Sequence, residues 1–191
     1  MKEIEILVEV FDDQQSALTK LEKFNFKGLK DTYDIYYFDP QRKNLQPVSK
    51  GILRECFRLR NKNNEYYLTY KINQFEDSGD WLYSEEHEIK ISDFDTAVNI
   101  INNLGLKKLV EVKSHKNYFV YDNYEIMLEE VENLGLFLEV EIINSENTTD
   151  VKKAKTEIWE FMKSLNLKMG EELLIGKPEL MLKKINHGTQ G

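Results

Sequence analysis

Residues 3–10 of the chain, EIEILVEV, alternate between two kinds of side chain. The even positions from 4 to 10 are isoleucine or valine, whereas positions 3, 5 and 9 are glutamate and position 7 is leucine. Successive side chains of a β-strand point to opposite faces, so this period of two predicts a strand with one apolar and one largely acidic face. The fold must therefore either leave the acidic face in water or enclose it with other strands.

Later segments repeat the spacing of two between charged residues, on strand-like stretches whose other face is apolar. Acidic pairs stand in SEEHEIKI and LFLEVEII, a wider acidic pair in YEIMLEEV, and basic residues in ILRECFRLR and YYLTYK. The charged residues of these faces are Glu86, Glu88, Glu139, Glu141, Glu125, Glu129, Arg54, Arg58, Arg60 and Lys71. One face of strand after strand thus carries charges of both signs.

Between the strands, four segments have the apolar spacing of amphipathic helices. Asp12 or Asp13 and Asp93 stand in the capping position before two of them, the third begins at about Asp150, and the fourth follows Pro178. An aspartate at that position accepts hydrogen bonds from the free N–H groups of the first helical turn. The helices would cover the apolar strand faces. We therefore predict one α+β domain spanning residues 1–191, with about eight mostly antiparallel strands and a few helices.

The pattern of charges admits two arrangements. In an open sheet, helices cover one side and water covers the charged side, with ion pairs between neighbouring strands. In a closed barrel, the charges line an interior wide enough for side chains or one small ligand. Buried carboxylates would then need basic side chains or metal ions to balance them. Carboxylates bind Mg²⁺ or Mn²⁺ and basic residues bind phosphate oxygens, so a closed interior would suit a metal-bound polyphosphate.

The composition narrows the class of protein. With 34 acidic and 26 basic residues, the formal net charge is −8, which disfavours nonspecific nucleic-acid binding. No apolar run approaches the roughly 18 residues that a membrane-spanning helix requires, and Met1 leads directly into the first strand, so we expect no signal peptide. The single cysteine, Cys56, fits a reducing compartment. We expect a cytoplasmic monomer or homodimer that binds neither nucleic acid nor membrane.

Seven short motifs follow one another in an order that resembles a known family. They are E-x-E, F-R-L-R, T-Y-K, a second E-x-E, K-x-H-x-x-Y, L-E-x-V and L-G-x-F-x-E-x-E, and they run from Glu3 to Glu141. This order resembles the CYTH superfamily, the class IV adenylyl cyclase and thiamine triphosphatase relatives also called triphosphate tunnel metalloenzymes. The resemblance implies a closed eight-stranded antiparallel β-barrel, or tunnel, with a charged interior and flanking helices. It also implies a small-molecule triphosphate as ligand and one or two divalent cations, Mg²⁺ or Mn²⁺, as cofactors.

The resemblance also implies roles for individual residues. It implies that the metal is held by Glu3, Glu5, Glu129, Glu139 and Glu141. It implies that the triphosphate is held by Arg58, Arg60, Lys71, Lys113 and His115. It implies further tunnel-lining side chains at Arg54, Glu86 and Glu88. Among these residues, Arg58, Arg60 and Lys71 are the expected catalytic ones, because they would stabilise the charge that grows in the transition state.

Several positions depart from the family pattern. Leu7 and Ser84 stand where a lysine and an arginine are usual, His115 replaces an arginine, and Gly176 and Lys177 replace a serine-tyrosine pair. Three basic positions of the interior are thereby lost or weakened, whereas the carboxylates are retained. Each lost charge-assisted hydrogen bond would cost about 1.5–3 kcal/mol of binding free energy, unless neighbouring cations compensate. The candidates for such compensation are Arg54, Lys90 and Lys116.

The residues leave several functions open. We favour metal-dependent hydrolysis of a triphosphate-containing substrate, namely inorganic triphosphate, thiamine triphosphate or a nucleoside triphosphate. Hydrolysis demands less of the site than cyclisation, and no separate purine-recognition motif is evident. The alternatives are a class IV adenylyl cyclase-like enzyme and a non-catalytic tunnel module that binds phosphometabolites or polyphosphate. A purely structural domain would bind neither metal nor phosphate.

Overall fold

The structure is a computed structural model that describes residues 2–47 and 51–188. Within these ranges it contains ten β-strands and four α-helices. The strands are β1 (Lys2–Glu3), β2 (Glu5–Val10), β3 (Asn25–Phe38), β4 (Glu55–Lys62), β5 (Glu65–Phe75), β6 (Trp81–Ile91), β7 (Lys107–Tyr121), β8 (Tyr124–Val131), β9 (Gly135–Ile142) and β10 (Met169–Glu172). The helices are α1 (Gln14–Leu21), α2 (Phe94–Asn103), α3 (Val151–Lys163) and α4 (Lys177–Gly188).

The helices begin where their capping residues predict. Asp13, Asp93 and Asp150 precede α1, α2 and α3, and each side chain accepts a hydrogen bond from the backbone N–H three residues further on. These bonds satisfy amide groups that have no partner inside the helix. The fourth helix begins at Lys177, one residue before Pro178. No helix in the described ranges is long and apolar enough to cross a membrane.

The ten strands form one antiparallel sheet, in the order β1-β6-β5-β4-β3-β7-β8-β9-β2-β10. The predicted α+β class and antiparallel pairing are confirmed, but the prediction of a closed eight-stranded barrel is wrong. The first and last strands in this order, β1 and β10, do not pair with each other, so the sheet is curled rather than closed. The alternating segment at the start of the chain divides at Ile4: β1 pairs with β6, and β2 pairs with β9. Because only Ile4 separates β1 from β2, the curl brings these two parts of the sheet together.

The convex face of the sheet carries the apolar side chains. Ile4, Ile6 and Val8 are 0–1% exposed and belong to one apolar cluster with Ile158 and Met162 of α3. Burying a side chain of this size contributes about 1.5–3 kcal/mol to the free energy of unfolding. Because the even-numbered residues of β2 face the helix, the odd-numbered ones face the concave side. The helices therefore determine which face of the sheet is left for the charged residues.

Candidate active site

The concave face of the sheet lines a cavity of about 840 Å³. Carboxylates and basic side chains from β1 to β9 share this cavity, because each strand directs every second residue into it. Ten of the predicted site residues line it, namely Glu3, Glu5, Arg58, Arg60, Lys71, Glu86, Glu88, Glu129, Glu139 and Glu141. The charged faces predicted from the sequence are thus brought together rather than left in open solvent.

Lys71 lies between two carboxylates at one side of the cavity. Its ammonium contacts Glu3 of β1 and lies 2.8 Å from Glu86, its register partner on β6. Burial opposes the charged form of Lys71, but the two carboxylates outweigh burial and hold its pKa well above the ordinary value. Burial likewise opposes ionisation of Glu86, yet Lys71 and Arg58 lower the pKa of this carboxyl to about 2. Lys71 therefore stays charged across the physiological pH range.

Arg58 lies buried among several carboxylates of the charged surface, and its distances to them are long. It donates a hydrogen bond of 3.1 Å to the hydroxyl of Thr69. Its nitrogen atoms lie 3.5 Å from Glu88 and 3.8 Å from Glu86 and Asp34. These carboxylate distances exceed the roughly 2.7–2.9 Å of a strong charge-assisted hydrogen bond. Phosphate oxygens could therefore approach the guanidinium group more closely than these carboxylates do.

A second charged cluster lies across the cavity, where Lys177 of α4 reaches the sheet. Its ammonium contacts the carboxylates of Glu129 and Glu139, and Lys116 lies 3.4 Å from Glu129. Burial opposes the charged form of Lys177, but the two carboxylates outweigh burial and raise its pKa. The same contact outweighs burial at Glu139 and lowers the pKa of that carboxyl. Lys177, Glu129 and Glu139 are therefore paired in their charged forms, whereas burial outweighs Glu129 at Lys116 and lowers the pKa of that ammonium.

Glu5 and Glu141 are direct register partners on β2 and β9 and face the cavity. Burial, together with the nearby Glu139, raises the pKa of Glu5 to about 8. Burial, together with Glu5, raises the pKa of Glu141 to about 9. The lysines whose charge acts on this pair are bound to other carboxylates. Lys71 is paired with Glu3 and Glu86, and Lys177 is paired with Glu129 and Glu139. A bound cation would therefore stabilise the ionised forms of Glu5 and Glu141, whose pKa values are raised.

A divalent cation fits the chemistry of this side of the cavity. Glu5 and Glu141 offer buried oxygen donors that repel each other, and Glu3 lies nearby on β1, where burial also raises its pKa. Oxygen donors of this kind suit Mg²⁺ and Mn²⁺. As the side chains stand, no three ligating groups in the described ranges surround a common point. Glu3 would have to leave Lys71 to complete such a set.

Two predicted phosphate-binding residues face away from the cavity. Lys113 lies over the ring of Tyr33 at 5.6 Å, and His115 is bonded to Asp31 at 2.7 Å, with 61% of its side chain exposed. Since side chains alternate along β7, the inward position of Lys116 requires that 113 and 115 point outward. This placement contradicts the predicted role of Lys113 and His115 in holding a triphosphate.

Arg54 also lies outside the cavity. It precedes β4, its side chain is exposed, and its guanidinium lies 5.8 Å from the centre of the Phe75 ring. The alternation that predicts its direction holds only within a strand, and β4 begins one residue later, at Glu55. The prediction that Arg54 lines the interior is therefore wrong.

The two ends of the cavity differ in character. At one end Leu7 lines the cavity and packs in an apolar cluster with Phe137 and with Met181 of α4, each less than 10% exposed. Towards the other end lie Lys30 and Lys62, half-buried on β3 and β4. A ligand that enters past these lysines would meet α4 and the apolar residues at the far end.

Comparison with known proteins agrees with this architecture. Residues 1–173 match the family described as the CYTH domain. The chain belongs to the CYTH domain family. The resemblance seen in the sequence is thereby confirmed over most of the chain.

One sequence relative and two solved structures show what this chain is similar to. A Methanocaldococcus jannaschii protein described as a "putative adenylate cyclase" is 30% identical over 169 residues, covering 87% of this chain and 91% of that protein. The structure of the PH1012 protein from Pyrococcus horikoshii OT3 has a TM-score of 0.74 at 25% identity, covering 94% of this chain and 99% of that one. A Hippeastrum protein described as a "putative adenylyl cyclase" with "a dominant" triphosphatase activity has a TM-score of 0.60 at 16% identity, covering 96% of each chain. The last likeness shows the fold alone.

The CYTH motifs gave no site role to Lys116 or Lys177, although the sequence offered Lys116 as one of the neighbouring cations that could compensate for the lost basic residues. A signal for Lys116 was available, because the two-residue turn at Asp122 and Asn123 sets the register of the β7–β8 hairpin. Counting back from that turn places Lys116 directly opposite Glu129. No comparable signal exists for Lys177, since its contact depends on how α4 packs against the sheet.

Proposed function

We propose that this CYTH protein is a metal-dependent hydrolase of triphosphate-containing substrates, namely inorganic triphosphate, thiamine triphosphate or a nucleoside triphosphate. The observation that carries the proposal is the division of charge within one cavity. Arg58 and Lys71 present positive groups to its interior, and Glu5 and Glu141 present carboxylates with raised pKa values. These are the two sets of groups needed to bind a phosphate chain together with its metal.

The basic residues would bind and orient the phosphate chain. Arg58 exchanges its long carboxylate contacts for phosphate oxygens, while Lys71, which stays paired with Glu86 when Glu3 turns to the metal, adds a second donor. Lys116 contributes a third cation from the opposite side. Lys71 and Lys116, which keep their carboxylate partners, bind without a large loss of side-chain entropy.

Hydrolysis then requires the attack of a water molecule on the terminal phosphorus. A new bond forms between the water oxygen and phosphorus, and the bond to the bridging oxygen breaks, which releases the shortened chain. Arg58 and Lys71 stabilise the negative charge that grows on the phosphate oxygens in the transition state. Held by Glu3, Glu5 and Glu141, Mg²⁺ or Mn²⁺ would neutralise phosphate charge and assist the water.

The test is phosphate release from inorganic triphosphate, thiamine triphosphate and ATP in the presence of Mg²⁺ or Mn²⁺. Glu5→Gln is expected to lower the rate at least about a hundredfold, a loss of transition-state stabilisation of about 2.7 kcal/mol. Glu9→Gln is the matched control, because Glu9 lies on the same strand but is exposed. Release that is independent of metal, or an unchanged rate with Glu5→Gln, would contradict the proposal.

A second candidate, adenylate cyclase activity, is favoured by the description of the 30% identical relative from Methanocaldococcus jannaschii. In this reaction the 3′-hydroxyl of ATP attacks the α-phosphorus and releases diphosphate. The same ATP incubation separates the two reactions, since hydrolysis yields ADP and phosphate whereas cyclisation yields cyclic AMP and diphosphate. Binding of the triphosphate with neither set of products would instead indicate a non-catalytic module.

A further inference from the structure

Lys177 occupies the carboxylate pair formed by Glu129 and Glu139. Only 12% of the lysine side chain is exposed, and the two glutamates are 2% and 11% exposed. Lys116 lies 3.4 Å from Glu129, so two cations serve two carboxylates in this cluster. The negative charge of Glu129 and Glu139 is therefore balanced by these cations. The carboxylates of Glu5 on β2 and Glu141 on β9 have no cation bound directly to them among the described residues.

The helix that carries Lys177 is anchored to the sheet. The carboxylate of Glu179, 3% exposed, accepts a hydrogen bond of 3.2 Å from the backbone N–H of Leu53. Two residues further on, Met181 packs into the apolar end of the cavity with Leu7 and Phe137. These contacts fix the first turn of α4, so the ammonium of Lys177 is presented to the carboxylates by a rigid element rather than by a mobile surface side chain.

An ammonium and a divalent metal compete for the same carboxylate oxygens. A metal ion at Glu129 and Glu139 would require the lone pairs that now accept from Lys177, and it would place two further positive charges beside Lys177 and Lys116. Repulsion between these cations at short range in a buried site is strong. Occupancy by Lys177 and occupancy by a metal are therefore mutually exclusive at this pair.

We propose that Lys177 is a built-in cation that excludes a divalent metal from the Glu129–Glu139 pair. The cavity then takes a single metal, on the side of Glu5 and Glu141, and faces the ligand with ammonium groups on the other side. This inference rests on the proposed metal dependence of the site. It assigns Lys177, rather than a second ion, to neutralising the carboxylates next to the phosphate chain.

The test is the number of Mn²⁺ ions bound, measured by calorimetry and by electron paramagnetic resonance of free Mn²⁺. The native protein is expected to bind one ion and Lys177→Met two, with the second site at least about tenfold tighter than any second site of the native protein. Lys177→Arg keeps the charge and is expected to bind one. Lys183→Met, an exposed position on the same helix, is the matched control and is also expected to bind one.

The outcomes separate this inference from the proposed function. One ion in both the native protein and Lys177→Met, or two in the native protein, would overturn the role of Lys177 and leave hydrolysis untouched. No ion in the native protein but one in Lys177→Met would support the role of Lys177 and contradict a metal at Glu5 and Glu141. Absence of Mn²⁺ binding in every variant would overturn both.

Lys177→Met leaves two buried carboxylates without their cation, so its folding must be monitored by circular dichroism. If the variant is unfolded without metal, Mn²⁺ is expected to restore the native spectrum and to raise the melting temperature, because the ion binds the folded state alone. The native protein would gain less from the same addition. Failure of Mn²⁺ to restore folding would count against the inference.

Discussion

Arg60 binds Asp34 through two parallel hydrogen bonds of 2.7 Å, across the β3–β4 ladder where the two residues are direct register partners. Burial opposes ionisation of Asp34, but Arg60 and Arg58 outweigh burial and lower the pKa of this carboxyl to about 2. One edge of the Arg60 guanidinium group is thus occupied by Asp34 and does not face a ligand with free N–H groups. Arg60 is better placed to hold Asp34 in position than to bind phosphate with its whole guanidinium group.

Replacing Asp34 with asparagine is expected to lower the free energy of unfolding by about 3 kcal/mol, because it leaves Arg60 buried without its counter-charge. Urea denaturation at neutral pH measures this loss. Asp31→Asn is the control, since Asp31 lies on the same strand but is exposed, and it is expected to cost less than about 1 kcal/mol. Equal losses in the two variants would contradict a buried, stabilising pair.

The same pair predicts a dependence of stability on acid. Asp34 has an ordinary pKa of 3.8 and a folded-state pKa of about 2. A lowered carboxyl pKa contributes stability that is present above the ordinary value and is lost as the pH falls through the folded-state value. The native protein is therefore expected to lose stability more steeply between about pH 4 and pH 2 than Asp34→Asn does. Parallel curves for the two proteins over this range would refute the expectation.

Opposite faces of β7 provide a direct test of where the ligand binds. Lys116 faces the cavity and Lys113 faces outward, so Lys116→Met is expected to weaken the binding of a non-hydrolysable triphosphate analogue at least about tenfold. Lys113→Met is the matched control and is expected to change affinity less than about twofold. Calorimetry measures both. A larger effect from Lys113→Met would indicate that the ligand binds on the outward face of β7, where Lys113 lies.

Much of the concave surface could be predicted from the sequence, because alternation along a strand is a local property. The E-x-E spacing alone places Glu3 with Glu5, and Glu139 with Glu141, on one face. Register between strands is not local, and the motif that contains Lys113 led to the wrong face of β7. The division of the first alternating segment at Ile4 likewise depends on its partners, β6 and β9, rather than on its own residues.

Only part of the compensation for lost basic residues could be predicted: Lys116 was among the neighbouring cations that the sequence offered, and it does line the cavity. Leu7, which stands where a lysine is usual, packs into the apolar end of the cavity and is the register partner of Glu139. The cation that Glu139 nevertheless contacts is Lys177, which is distant in the sequence. Because tertiary packing of a helix decides this contact, neither composition nor periodicity carries a signal for it.

Lys30, towards the far end of the cavity from α4, predicts a dependence of ligand binding on pH. Burial, together with Lys62, lowers its pKa to about 8, so its ammonium loses its proton within an accessible range. Affinity for the triphosphate analogue is expected to fall as the pH rises through about 8, and Lys30→Met is expected to remove this step. Lys27→Met, an exposed position of the same strand, is expected to retain it. A step of equal size in all three proteins would contradict the role of Lys30 and assign the titration to Glu5, to Glu141 or to the ligand.

The anchoring of α4 by Met181 predicts a loss of stability that should be specific to the apolar end of the cavity. Met181 is 8% exposed among Leu7, Phe137 and their neighbours, so Met181→Ala is expected to lower the free energy of unfolding by about 2–4 kcal/mol. Ile185→Ala is the control on the same helix, because Ile185 is 49% exposed, and it is expected to cost less than about 1 kcal/mol. Urea denaturation followed by circular dichroism measures both. If α4 were only loosely attached, Met181→Ala would cost no more than the control, and the rigid presentation of Lys177 to Glu129 and Glu139 would lose its support.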